Sequence, residues 1–336
     1  MAPRPHLPRR TALLAATLLS SLTACGSAVA PPHAPSPPAS PTTTTSTPAS
    51  TATTGSAQPH VMIVVLENKE YDDVVGNSAA PYFNKLATQF GLATDYHART
   101  HPSLPNYIDL IAGSTLNISS DCTDCTADDG DTIVDQLAKQ DIHWTAYMGG
   151  MPSTCFQGAE YPGGTTTGYA KKHNPFLYFD HLRSDPSACQ NVVPESRLKG
   201  DLGGGRATSF MWVSPNLCDD GHNTDDGCGL GASDRWLAND LPAVLASSWY
   251  AQGGIVIVTF DEGSSDSACC GGAHGGRVAT LVISASTKAG AREDTPVDHA
   301  GTLRTIEALY GLAYLRTAAD PQSGDLMALL SRPPVS

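Results

Sequence analysis

The sequence predicts an α/β fold, a doubly wound and mainly parallel sheet with helices on both faces. Three observations carry that expectation. The runs Val61–Leu66, Phe210–Val213 and Ile255–Phe260 are apolar without alternation, the pattern of strands buried on both faces. Each runs directly into polar residues: Glu67-Asn68, Ser214-Pro215-Asn216 leading to His222, and Asp261-Glu262-Gly263. Stretches of helical spacing lie between the strands, as βαβ connections require.

Taken in order, Val61–Leu66 is the first strand, and Pro81 to Gly91 is a helix that begins at a proline and stops at a glycine. Asp131 to Lys139 reads as a helix with Ile133, Val134, Leu137 and Ala138 inward, followed by a strand from Ile142 to Tyr147. After Phe210–Val213, Ser233 to Trp249 is helical, and Pro242 inside it predicts a kink or a break into two helices. Ile255–Phe260 and Val278–Ser284 are strands, and Gly301 to Tyr310 is a helix ending at Gly311. The Gly-rich connections at 150–172, 200–206 and 263–276 are expected on the rim of the site.

The first residues do not belong to this fold. Arg4, Arg9 and Arg10 precede an apolar stretch from Ala12 to Leu22, the layout of an export signal over 1–24. Its ending, Leu22-Thr23-Ala24-Cys25, resembles a lipobox, which makes Cys25 the lipidation candidate and predicts a membrane anchor. A plain signal cut near Ala28 or Ala30, releasing soluble protein, is the alternative, and Arg9-Arg10 allows twin-arginine export as well as the general route. Residues 25–59 hold no charged or aromatic residue and are mostly Pro, Thr, Ser, Ala and Gly, so they read as a tether ahead of a domain spanning 60–336. With Cys25 lipidated, eight cysteines remain, an even set that favours disulfides in an exported chain. Sequence neighbours suggest Cys122 with Cys125, Cys155 with Cys189 and Cys218 with Cys228; Cys269 and Cys270 pair with each other or elsewhere. The formal charge is −13, and removing three signal arginines leaves −16. Such a surface excludes nucleic acid as a partner, and any phosphorylated substrate must be drawn in by local cations.

The candidate nucleophile is Ser103, in Thr100-His101-Pro102-Ser103-Leu104-Pro105-Asn106-Tyr107. With the polar strand ends, with Tyr169-Ala170-Lys171-Lys172-His173-Asn174-Pro175-Phe176 and with Asp298-His299, this turn resembles the bacterial phosphoesterase family. That family joins phospholipases C and secreted acid phosphatases within the alkaline-phosphatase-like superfamily, and the chain is most similar to members known as phosphatidylinositol-3-phosphatases. The resemblance covers roughly 60 to 315 and implies a metal-dependent phosphomonoesterase with a serine nucleophile. It implies that Asn106 holds a phosphoryl oxygen, and it sets His299, which lacks the family's usual aromatic neighbour, among the catalytic candidates.

The residue types point the same way. Glu67, Asn68, Asp261 and Glu262 offer oxygen ligands that favour Mg²⁺, Ca²⁺ or Mn²⁺, and His222 or His299 nearby widens the choice to Zn²⁺ or Fe. His222, with Asp219 or Asp220 beside it, is the candidate to protonate the leaving oxygen or activate water, and an imidazolium donor favours an acidic optimum. Lys171, Lys172 and His173 are candidate substrate-binding groups; Lys171-Lys172 also suits a solvated pair, and His173 a turn. The expected substrate is a phosphorylated small molecule or a lipid headgroup. A phospholipase C and a non-catalytic binding lipoprotein are the alternatives.

Overall fold

The structure is a computed structural model that describes residues 58–127, 130–163, 167–225 and 227–330. The segment predicted as an export signal, the lipidation candidate Cys25 and the predicted tether up to residue 57 lie outside the described residues. Eight strands form the central sheet: β1 (His60–Leu66), β2 (Gly91–Ala93), β3 (Trp144–Met148), β4 (Val192–Pro194), β5 (Phe210–Ser214), β6 (Gly254–Phe260), β7 (Thr280–Ser284) and β8 (Arg292–Glu293). Their order is β8-β2-β7-β6-β1-β5-β3-β4. Pairing is parallel except where β7 runs against β6 and β2. β1 therefore sits centrally between β5 and β6, and all six of its residues from Val61 to Leu66 are fully buried. That placement explains the unbroken apolar run, since neither face of a central parallel strand meets water.

The helices that matter here are α1 (Pro81–Gln89), α2 (Ser103–Ala112), α3 (Ile133–Ala138), α4 (Leu230–Leu245) and α5 (His299–Tyr310). α2 packs on α5, and α1 on α4. α1 is capped from a distant part of the chain: the Asp234 carboxylate accepts from Tyr82 N at 3.0 Å and Phe83 N at 2.7 Å. α5 starts at Asp298, whose Oδ1 accepts from Gly301 N at 2.9 Å, and stops at Gly311 with φ 67°. The predicted interruption of 233–249 falls later than Pro242: α4 continues through it to Leu245, and a separate turn of helix, Ser248–Ala251, begins after Ser247. Among the described residues no helix is long and apolar enough to cross a membrane. The eight cysteines pair as Cys122–Cys125, Cys155–Cys189, Cys218–Cys228 and Cys269–Cys270.

Candidate active site

The register of the central strands assembles the site. Leu66 lies opposite Phe260, so the next residues, Glu67 and Asp261, emerge side by side at the carboxyl end of the sheet. The chain beyond the strands continues this stitching, because Asp261 N donates to Leu66 O at 2.8 Å and Glu67 N to Asp220 O at 2.9 Å. Three segments far apart in sequence thus converge at the edge where α/β sheets bind ligands. Asn68 takes a left-handed conformation (φ 55°), which asparagine tolerates better than most residues, and its N–H donates to Asp261 Oδ1 at 2.9 Å. Gly221, at φ 95°, lets the chain turn between Asp220 and His222.

Ser103 is the first residue of α2, and its hydroxyl is buried against two carboxylates. Ser103 Oγ donates to Glu67 Oε2 at 3.0 Å and lies 3.4 Å from Glu262 Oε1. Glu67 is the hub of the site. The Asn68 side-chain amide donates to Oε2, Tyr107 OH donates to Oε1 at 2.5 Å, and His173 Nε2 lies 3.1 Å from Oε1. The His173 ring stacks on Tyr107 at 5.3 Å between centroids, with Nδ1 2.9 Å from Asp220 Oδ2. Asp220 Oδ1 accepts from His222 N at 2.7 Å. Lys172 Nζ donates to Asp121 Oδ2 at 2.8 Å and lies 3.0 Å from His222 Nε2. His101 Nδ1 is 2.7 Å from Glu262 Oε2.

So many acids in one dry place do not ionise freely. Burial, then Asp261 and Asp220, push Glu67 well above the usual carboxylate range. Burial raises Asp220 to about 7 and Asp261 to about 6, and burial with the Asp261 charge raises Glu262 to about 8. Burial, then the Lys172 charge, push His173 far down and His222 down. A divalent cation fits this donor set. Asp261 Oδ2 is buried without a hydrogen-bond partner, and His173 Nε2 and Asp220 Oδ2 meet their neighbours at ion-pair distance without hydrogen-bond geometry. Ligand atoms of Glu67, His173 and His222 lie within 4.8 Å of one another. Oxygen donors dominate, and the imidazoles extend the range to Mn²⁺, Zn²⁺ or Fe.

The structure thus brings together Glu67, Asn68, Ser103, Lys172, His173, Asp220, His222, Asp261 and Glu262. Four other candidates make contacts of their own. The fully buried Asn106 is occupied by its own turn: Oδ1 accepts from Thr100 N at 3.0 Å, and Nδ2 donates to Thr100 O at 2.8 Å and Pro102 O at 3.2 Å. Those bonds brace the nucleophile turn. His299 is fully buried behind Asp261, with Nε2 2.5 Å from Asp261 O and Nδ1 2.9 Å from Tyr96 OH. Through those two contacts the ring steadies the strand end. Lys171 turns away, donating to Thr123 O at 2.9 Å with its ammonium over the Tyr178 ring. Asp219, paired with Asn216 Nδ2 at 2.6 Å, leaves Asp220 as the acid beside His222. Sequence reasoning missed Tyr107, Asp121 and His101 as parts of the site. Tyr107 is one turn beyond Ser103 on α2, so the i, i+4 spacing carried a signal. Asp121 carried none.

The fold is similar to those of solved proteins of the alkaline phosphatase superfamily. A superfamily protein from Vibrio parahaemolyticus superposes with a TM-score of 0.53 at 15% identity, over 83% of this chain and 71% of its own. The lipoteichoic acid synthase LtaP from Listeria monocytogenes superposes with a TM-score of 0.52 at 11% identity, over 79% and 76%. Within that fold the chain belongs to the Phosphoesterase family, whose pattern matches residues 77–313. A probable acid phosphatase of Kluyveromyces lactis is 27% identical over 268 residues, 78% of this chain and 60% of the relative. A phosphatidylinositol-3-phosphatase of Mycobacterium tuberculosis is 27% identical over 258 residues, 75% of this chain and 77% of the relative. The chain spans 55% to 61% of the length of the fungal acid phosphatases it matches.

Proposed function

We propose that the chain is an exported, metal-dependent phosphomonoesterase that works through Ser103. The observation that carries this is the Ser103 hydroxyl, set at the first turn of α2 between Glu67 and Glu262, in a site whose buried Asp261 Oδ2 lacks a hydrogen-bond partner. Glu67, Asn68, Asp261 and Glu262 would hold a divalent cation, which when bound would supply charge neutralisation for the phosphoryl group and lower the pKa of the Ser103 hydroxyl. Ser103 Oγ attacks phosphorus as its proton passes to Glu67 or Glu262, which the bound cation would keep ionised. His222 carries a proton only in the acid range, so it protonates the departing alkoxide there, which sets an acidic optimum. The neutral imidazole then takes a proton from the water that attacks phosphoserine, releasing orthophosphate and restoring the serine. Lys172, beside His222, faces the incoming charge. The relatives' names support acid phosphatase activity and bring phosphoinositides in as substrates to be tried. Export fits the disulfides, and anchoring through Cys25 is tested by mass spectrometry of the mature N-terminus.

The functional test is p-nitrophenyl phosphate hydrolysis by the purified chain between pH 4 and 8, with Mg²⁺, Ca²⁺, Mn²⁺ or Zn²⁺ and after chelation. Turnover should need metal and fall more than ~100-fold in Ser103→Ala, about 2.7 kcal/mol of transition-state stabilisation. No turnover with any cation would leave a binding protein and overturn the proposal.

A further inference from the structure

Asp121 lies outside every motif quoted above, yet it touches two of the working parts. Its Oδ1 accepts from the backbone N–H of Leu104 at 2.9 Å, next to the Ser103 nucleophile. Its Oδ2 accepts from Lys172 Nζ at 2.8 Å. Lys172 in turn lies 3.0 Å from His222 Nε2. The anchor itself is firm. Asp121 leads into the loop closed by Cys122–Cys125, which is pinned by Tyr178 OH on Cys122 O at 2.9 Å and by Lys171 Nζ on Thr123 O at 2.9 Å. The other lysine near the site, Lys69, is tied to backbone, with Nζ 2.8 Å from Gly221 O, 3.2 Å from Asn68 O and 3.3 Å from Glu67 O.

We propose that Asp121 is a positioning residue that holds the Lys172 ammonium at a fixed distance from the Ser103 turn, and that this held ammonium selects phosphate monoesters over diesters. The inference rests on the phosphoesterase reading and deepens it by naming the feature of the substrate that is read. Near pH 7 a monoester phosphate carries roughly −1.5 to −2 charges against −1 for a diester. A fixed cation in a poorly hydrated site rewards the extra charge far more than the same ammonium would in water. A lysine on its flexible stem does this only if something removes its freedom. The carboxylate of Asp121 does so, and because the same carboxylate grips α2, lysine and nucleophile keep one spacing.

The test compares kcat/KM for p-nitrophenyl phosphate and bis(p-nitrophenyl) phosphate at pH 7 in the full chain, Asp121→Asn, Lys172→Met and the double variant. Asparagine keeps an acceptor for Leu104 N–H and loses the charge that holds lysine. Asp121→Asn and Lys172→Met should each lower monoester turnover at least tenfold and diester turnover less than threefold. The double variant should match Lys172→Met within twofold, since Asp121 acts through that lysine. A merely structural role would lower both esters alike and would add to the Lys172→Met loss; either result overturns the inference. Should Asp121→Asn melt lower, an unchanged ester ratio in Lys172→Met alone overturns it as well. If the parent chain hydrolyses both esters and the ratio stays fixed in all variants, the inference fails while the phosphoesterase reading stands. If the parent hydrolyses neither, that reading fails and takes the inference with it.

Discussion

Replacing Tyr107 by phenylalanine removes one oxygen from a fully buried side chain and isolates what that oxygen does. The ring keeps its stacking on His173 and its tilted contact with Trp212 at 6.1 Å. What disappears is the donation from Tyr107 OH to Glu67 Oε1 at 2.5 Å. Burial and the neighbouring carboxylates drive Glu67 toward its neutral form, and this hydrogen bond works against them by favouring the carboxylate. A hydrogen bond to a charged group contributes roughly 1.5–3 kcal/mol. If Glu67 holds the cation, divalent affinity should weaken about 10- to 100-fold, at 1.36 kcal/mol per tenfold. Calorimetric titration of Mn²⁺ into chelator-treated protein, parent against Tyr107→Phe at one pH, measures that factor, with circular dichroism as the control for folding. Equal affinities within threefold would refute the role given to Tyr107. A parent chain that takes up no divalent cation would refute the metal site itself.

Three further outcomes are expected away from the reacting groups. Burial, with Asp240 and Asp219 adding to it, pushes Glu195 up to about 7 while Trp236 Nε1 donates to its Oε1 at 2.6 Å. A raised carboxyl stabilises the fold in acid and loses that contribution as pH climbs from about 4.5 to about 7. Glu195→Gln should therefore melt like the parent at pH 4.5 and above it at pH 8, by a difference on the order of 2 kcal/mol; parallel melting curves across that range would refute the assignment. The Cys155–Cys189 bridge closes a loop of sequence separation 34, so the double serine variant should lose about 3–4 kcal/mol in denaturant unfolding. Asp234→Ala deletes the distant cap of α1 and should cost about 1–2 kcal/mol, with Asp234→Asn recovering part of it in the same assay.

What the sequence revealed follows from where side chains meet water. β1, β5 and β6 are central, so their burial is written as unbroken apolar runs with polar ends, and those ends hold Glu67, Asp261, Glu262 and, a little later, Asp220 and His222. β2, β4 and β8 are two or three residues long and left no pattern to read. The strand expected at 278–284 exists as β7, but its antiparallel direction depends on how the chain returns to the sheet, which composition does not record. Ser103 was legible because its turn is a local string. The hydrogen bonds of Asn106 and His299 were not, since each depends on which backbone groups happen to lie opposite: Thr100 and Pro102 for one, Asp261 for the other. Asp121 was invisible because its partners, Leu104 and Lys172, are 17 and 51 residues away.

The central place of β1 bears on how the chain comes to be folded at all. Its neighbours in the sheet are residues 210–214 and 254–260, so the six apolar residues of β1 have no strand to pair with until roughly 145 more have followed, and stay open on the other side for roughly 190. A chain delivered end first carries that segment uncovered for the whole interval, and non-local pairing of this kind is slow and prone to aggregation. Production of this protein should accordingly depend on a holding chaperone wherever it emerges. Chains cut short before Phe260 should accumulate as aggregates, with no smaller folded unit among them.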